Sequence, residues 1–125
     1  MDILRLLMGS EHPNDNLRIV ITRHGERADF ALGSSWYRRM KRNGIHDPRI
    51  SPLPIRSKPD EWTYDPPLTR EGEQQSAHVG RKLKKLGFNI DYCYSSPAFR
   101  SIQTATKILE SQGRKHVSIC IEPGK

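Results

Sequence analysis

Leu17-Arg18-Ile19-Val20-Ile21-Thr22 runs straight into Arg23-His24-Gly25-Glu26-Arg27. The first six residues are mostly apolar and β-branched, which reads as a strand of the kind buried in a parallel sheet. The abrupt change to charge and glycine marks its carboxyl end. The same pattern returns twice downstream, in Ile90-Asp91-Tyr92-Cys93-Tyr94-Ser95 and in Val117-Ser118-Ile119-Cys120-Ile121. Helical patterns separate these strands. Thr69 is a good N-cap for a helix carrying Ser76, Val79, Leu83 and Leu86 on one face and stopping at Gly87. Ser96-Pro97 supplies an N-cap and a first-turn proline, and Ala98, Ile102, Ala105 and Leu109 then stripe a helix ending near Gly113. Strand, loop, helix, strand, helix, strand is an α/β order with a mostly parallel sheet flanked by helices. In such sheets ligands sit beyond the carboxyl ends of strands.

Outward from these elements the chain is less regular. Residues 1–16 read as an N-terminal tail: an apolar cluster (Ile3, Leu4, Leu6, Leu7, Met8) followed by Gly9, Ser10, Pro13, Asn14, Asp15 and Asn16, a dense set of turn formers. Residues 28–67 read as a long insert in a partial domain spanning 17–125. Six of the nine prolines fall there, so regular structure should be short, with a helical turn or two around Trp36 to Met40. A loop this long is more often functional than idle. It is also basic: Arg38, Arg39, Lys41, Arg42, Arg49, Arg56 and Lys58 face one acid, Asp47, within residues 38–58. That window carries most of the chain's net charge of +7. Such an imbalance suits phosphate esters, acidic proteins, nucleic acid or an anionic membrane face.

The 125 residues bound the rest of the reading. No apolar run approaches the ~18–20 residues of a membrane span. The first eight residues are too short for a signal peptide. Two cysteines are too few for a disulfide framework or a zinc site. A cytoplasmic protein without metal or cofactor is the expectation.

Two strand ends carry chemistry. In Arg23-His24-Gly25-Glu26-Arg27 the histidine can attack phosphorus through a ring nitrogen that bears no proton. The arginines match phosphoryl oxygens in forked geometry, and Gly25 lets the backbone pass close to a ligand. In Ser95-Ser96-Pro97-Ala98-Phe99-Arg100 the amino end of a helix offers N–H groups to an anion. Arg100 stands on the wrong side of that helix dipole. A cation there is unfavourable by a few tenths of a kcal/mol, roughly, unless an anion compensates, which points to function.

Together these residues resemble the histidine phosphatase (phosphoglycerate mutase-like) superfamily. Arg23-His24-Gly25 is similar to its signature, Pro67-Leu68-Thr69 with Gly72 to the opening of its next helix, and Ser95-Ser96-Pro97 through Arg100 with Gln103-Thr104-Ala105 to its second arginine motif. Glu26-Arg27, Asp65-Pro66-Pro67-Leu68, Gln75-Ser76 and Glu122-Pro123-Gly124 resemble the Sts/TULA branch, whose modules act on protein phosphotyrosine and whose relatives include insect steroid-phosphate phosphatases. The resemblance implies a phosphoglycerate mutase-like fold and a phosphomonoester hydrolase. His24 would be the nucleophile, and Arg23, Arg27 and Arg100 would clamp the phosphate without a metal. The family's proton-donating glutamate follows the Glu-Pro-Gly segment, and a second histidine lies near its carboxyl end. The chain stops at Lys125, before either, so the expectation is a domain incomplete at its C-terminus with impaired turnover.

Three rival readings stand beside this one. A non-catalytic fragment could keep the arginine pocket and bind phosphate without turnover. A cysteine-based phosphatase needs five residues between its cysteine and arginine, but six separate Cys93 from Arg100, and that reading fails. Cys93 and Cys120 alternate with apolar neighbours and read as buried structural thiols. Trp36, Tyr37 and their cationic neighbours could stack on nucleic acid, but the prolines interrupt the stretch and no binding module surrounds it. His12, His46, His78 and His116 lack arginine company and read as surface residues, with His78 half buried on its helix. Trp62 and Tyr64 would pack the insert down.

Overall fold

A computed structural model describes residues 3–8 and 18–122. The elements in chain order are β1 (Ile3–Met8), β2 (Arg18–Arg23), α1 (Ala28–Leu32), α2 (Trp36–Asn43), a 3₁₀ turn (Pro59–Thr63), α3 (Arg70–Lys85), β3 (Tyr92–Ser95), α4 (Phe99–Ser111) and β4 (Ile119–Ile121). The four strands form one sheet in the order β2-β1-β3-β4. β1 is antiparallel to both of its neighbours, and β3 is parallel to β4. It follows that β2, β3 and β4 all run the same way, as the α/β order requires, with β1 the one reversed strand.

That strand corrects the reading of residues 1–16 as a tail. Ile3–Met8 pairs with β2 along all six positions, from Ile3↔Arg23 to Met8↔Arg18. It also pairs with β3 from Leu4↔Ser95 to Leu7↔Tyr92. The apolar run that read as an isolated cluster therefore lies between the two strands bearing the motifs. The remaining tail residues are outside the described ones. β2 correspondingly has no parallel neighbour among the described residues: it lies at the edge of the described sheet, and Ile21 is 64% exposed.

α3 begins as its sequence predicts. The Thr69 hydroxyl accepts from the Gly72 N–H at 3.0 Å, an N-cap that satisfies one of the helix's orphan donors. Ser76 is buried and Val79 and Leu83 pack against the core, but Leu86 is 62% exposed because the helix has already ended at Lys85. α4 buries Ser101, Thr104, Ala105, Ile108 and Leu109. With Ile90 and Cys93 the last three form the main core, joined by Val79, Leu83, Phe88, Val117 and Ile119. The helices approach closely at Gly80, where a Cβ would stand 2.6 Å from the Ile108 carbonyl oxygen. Gln112 closes that end of the core. Its amide nitrogen donates to the Gly80 and Phe88 carbonyls at 3.1 and 2.9 Å, and its amide oxygen accepts from Ile90 N–H at 3.0 Å.

The insert is tied down by a core of its own. Ala28, Trp36, Ile50 and Trp62 are buried together, with Leu32, Tyr37, Met40, Leu53 and Phe99 against them. Regular structure in it is short, as six prolines dictate, and the helix at Trp36 extends to Asn43. Trp62 packs as expected. Tyr64, 88% exposed, does not.

Candidate active site

β2 ends at Arg23, and the turn that follows is stitched to the start of α3. Glu26 carbonyl accepts from Thr69 N–H at 3.0 Å, Glu26 N–H donates to Gln75 Oε1 at 3.0 Å, and Thr69 Oγ1 donates to Glu26 Oε1 at 2.7 Å. Ala28 N–H donates to Pro67 carbonyl at 2.8 Å. Two glycines make this approach possible. A Cβ on Gly25 would meet the Gly72 backbone, with the carbonyl carbon at 2.9 Å, and a Cβ on Gly72 would meet Glu26 N at 2.7 Å. The Gly25 seen in sequence as a point of close approach is therefore one of a pair, and its immediate neighbour is protein backbone.

The turn is tied to α4 as well. Gly25 N–H donates to Thr104 Oγ1 at 3.3 Å, and Thr104 Oγ1 donates to Arg100 carbonyl at 2.8 Å. One hydroxyl thus joins the histidine turn to the helix that carries Arg100, across a separation of 79 residues.

His24 is half buried, with Nδ1 2.8 Å from Gly25 carbonyl oxygen. A carbonyl can only accept, so Nδ1 carries the proton in this contact and the neutral ring holds its lone pair on Nε2. That is the protonation pattern a histidine nucleophile needs. Thr22, Arg23, His24, Gly25, Gln75, Ser76 and Thr104 are among the residues around a cavity of about 120 Å³. Arg23 is exposed at its rim.

The other two arginines are held by acids. Arg27 makes a forked pair with Asp29, Nε to Oδ1 at 3.0 Å and Nη2 to Oδ2 at 2.7 Å, and lies 4.2 Å over the Phe30 ring. Its guanidinium is turned along α1. Arg100, 13% exposed in the first turn of α4, has Nη1 3.8 Å from Asp65 Oδ1. Asp65 Oδ1 also accepts from Phe99 N–H at 3.0 Å, while Asp65 Oδ2 accepts from Arg56 Nη2 at 2.6 Å. This replaces the predicted Ser96 cap. The Ser96 hydroxyl bonds to Ser101 Oγ at 3.0 Å, α4 starts at Phe99, and a carboxylate 34 residues upstream caps it. An acid at that helix end is favourable, and it offsets the cation read as misplaced.

Three of the seven cations of the basic insert pair with acids of the insert itself. Lys41 pairs with Asp60 at 3.0 Å, Arg49 with Asp47 at 2.8 Å and Arg56 with Asp65 at 2.6 Å, and Arg39 donates to the Leu32 carbonyl. The hydrogen bonds from Arg49 pull the Asp47 carboxyl down to about 2. Asp60 and Asp65 lie just outside residues 38–58, so the charge count over that window missed them.

The cysteines differ from expectation at one position. Cys93 is buried, and desolvation pushes its thiol up to about 11. Cys120 is exposed, because β4 is an outer strand of the described sheet. His46, His78 and His116 are exposed, which for His78 replaces the expected half burial; His12 lies outside the described residues. Among the described residues no three His, Cys, Asp or Glu side chains group to hold a metal ion. No helix among them is long and apolar enough to cross a membrane.

Residues 56–124 match the family described as the histidine phosphatase superfamily (branch 1). The chain is 34% identical over 119 residues to an ecdysteroid-phosphate phosphatase of Drosophila melanogaster, covering 87% of this chain and 15% of that protein. It is 36% identical over 115 residues to the ubiquitin-associated and SH3 domain-containing protein A of Mus musculus, covering 85% and 18%. Among solved structures it resembles the ecdysone phosphate phosphatase of Bombyx mori in complex with tungstate. The TM-score is 0.73 at 32% identity, over 80% of this chain and 40% of that one. The chain therefore spans less than a fifth of these two curated relatives.

Proposed function

The chain belongs to the histidine phosphatase superfamily, branch 1, and from that premise we propose that it handles phosphomonoesters through a phosphohistidine on His24. The hydrogen bond from His24 Nδ1 to Gly25 carbonyl carries the reading, because it leaves the Nε2 lone pair to attack. In the first step Nε2 bonds to phosphorus as the ester P–O bond breaks and its electron pair leaves with the oxygen. Water then attacks the phosphohistidine, the N–P bond breaks towards Nε2, and inorganic phosphate departs. Arg23, Arg27 and Arg100 are assigned to the phosphate oxygens, where positioning and charge neutralisation do most of the catalysis. For Arg27 this requires the guanidinium to exchange Asp29 for the ligand.

None of these four side chains is assigned to protonate the leaving group. p-Nitrophenyl phosphate, whose activated phenolate leaves with little protonation, therefore tests these four side chains alone, while protein phosphotyrosine is the proposed substrate on the resemblance of Glu26-Arg27 and Asp65-Pro66-Pro67-Leu68 to the Sts/TULA branch. The forked pair between Arg27 and Asp29 favours a second reading, an anion-binding domain with little turnover. The pairing of Lys41, Arg49 and Arg56 with acids of the insert speaks against a nucleic-acid surface. We place the protein in the cytoplasm, where free thiols such as Cys93 and Cys120 persist. Residues 17–125 are taken as one domain with 28–67 as its insert, and β1 is counted with it because it lies in the same sheet.

The test is p-nitrophenyl phosphate hydrolysis by the purified chain from acid to neutral pH, with His24→Ala beside it and acid-labile phosphate on His24 followed by mass spectrometry. Turnover and phosphohistidine that both vanish in the variant support the enzyme. Equal rates for folded wild type and variant refute it.

A further inference from the structure

The second ion pair of Asp65 is shorter than its first. Its carboxylate is 2.6 Å from Arg56 Nη2 and 3.8 Å from Arg100 Nη1. At equal screening the nearer pair is roughly one and a half times the stronger, since Coulomb energy falls as the reciprocal of distance. Arg56 is itself fixed from the far side. Its guanidinium carbon lies 4.1 Å over the Trp62 ring, and Trp62 meets Phe99 edge to face with centroids 4.9 Å apart. The Phe99 N–H in turn donates to Asp65 Oδ1 at 3.0 Å. Arg56, Trp62, Phe99 and Asp65 thus close a ring at the amino end of α4, and the next residue is Arg100. Trp62 is buried, and Arg56 and Asp65 are only about a quarter exposed, so these contacts are weakly screened.

We infer that Arg56 is a positioning residue for the anion site: it holds the Asp65 carboxylate so that Asp65 caps α4 without closing on Arg100. This rests on the proposal that Arg100 binds phosphate. A carboxylate beside Arg100 orients its guanidinium but also competes with an anionic ligand for it. Arg56 resolves the conflict by drawing Asp65 to itself. Without Arg56, Asp65 has Arg100 as its nearest cation and moves onto it, and the incoming anion must displace a carboxylate.

This arrangement fixes the signs of three substitutions in a way that a purely structural role does not. The assay is orthovanadate titration of the full chain by calorimetry, with folding checked by circular dichroism and Arg100→Ala as reference. Arg56→Gln should weaken vanadate binding about 10-fold. Asp65→Asn keeps an acceptor for Phe99 N–H but loses the competing charge, and should tighten binding several-fold. Arg56→Gln combined with Asp65→Asn should return to within about 3-fold of wild type. If Arg56 and Asp65 serve only to hold the fold together, both single substitutions weaken binding and the double variant is worst. That pattern overturns the inference, as does wild-type affinity in Arg56→Gln. Should Arg56→Gln fail to fold, tighter binding by Asp65→Asn still supports the inference and weaker or unchanged binding still refutes it. If Arg100→Ala binds vanadate as wild type does, the clamp itself is refuted and this inference falls with it.

Discussion

Replacing Gly72 by alanine adds one methyl group where two backbones meet, and the structure sets the sign of the outcome. Helix propensity alone favours the change by up to ~1 kcal/mol, less in a first turn. Against this, the new Cβ would stand 2.7 Å from Glu26 N and 3.1 Å from Glu26 carbonyl carbon, with the carbonyl oxygen closer still. The nitrogen contact is roughly 0.7 Å short of ordinary van der Waals distance. All three atoms are main chain, so no rotamer change relieves the clash. The turn at 25–27 must move away from α3, stretching the bonds from Thr69 N–H to Glu26 carbonyl and from Glu26 N–H to Gln75. Overpacking of this kind costs about 1–3 kcal/mol, which outweighs the propensity gain. For a chain of this size a net loss of ~1–2 kcal/mol lowers Tm by roughly 3–10 °C. The displaced turn carries His24, the proposed nucleophile, and a misplacement of ~1 Å in a reacting group can reduce rate by about 100-fold. Thermal melts followed by circular dichroism and p-nitrophenyl phosphate turnover below the melting point read the two effects separately. A Gly72→Ala variant with unchanged Tm and a rate within two-fold of wild type would show that the close approach does not constrain the turn, and would sink the argument.

Two further substitution and labelling experiments follow from the core. Gln112→Leu keeps side-chain bulk but removes the buried acceptor of Ile90 N–H and the bonds to the Gly80 and Phe88 carbonyls. We expect about 2–4 kcal/mol of destabilisation in urea, since each buried group left without a partner costs ~1–3 kcal/mol; stability equal to wild type would contradict the assignment. Iodoacetamide at pH 8 should alkylate Cys120 and spare Cys93, whose thiol is pushed up to about 11 by burial. About one molecule in a thousand then carries the thiolate at Cys93 at that pH, and the fraction grows only as pH approaches 11. Equal alkylation rates in folded protein, read by peptide mapping, would contradict the burial of Cys93.

The sequence by itself determined the elements whose causes are local. Thr69 caps α3 because its hydroxyl reaches a donor three residues on. The strand at 92–95 followed from alternation, and of the stripe read on α4 Ala105 and Leu109 are buried while Ile102 is half-buried; Arg23-His24-Gly25 stands at a strand end, as its residue order indicates. The order of these motifs was enough to indicate the family.

What only the tertiary structure decided involves partners far apart in the chain. Ile3–Met8 carries no local mark that separates a strand from a loose apolar cluster. Its place between β2 and β3 depends on backbone groups of residues 18–23 and 92–95. The cap of α4 was legible as a serine in the right position, yet Asp65 takes that role from 34 residues away because the packing of Trp62 on Phe99 brings it there. The charge on residues 38–58 was countable, but the pairing of Lys41 with Asp60 and of Arg56 with Asp65 was not, since a count over a window ignores the acids that the fold returns to it. Thr104 joins Gly25 to Arg100 by the same logic. Short-range steric and hydrogen-bonding preferences are written in neighbouring residues, whereas a contact across 34 or 79 residues exists only once the chain has closed the loop between them.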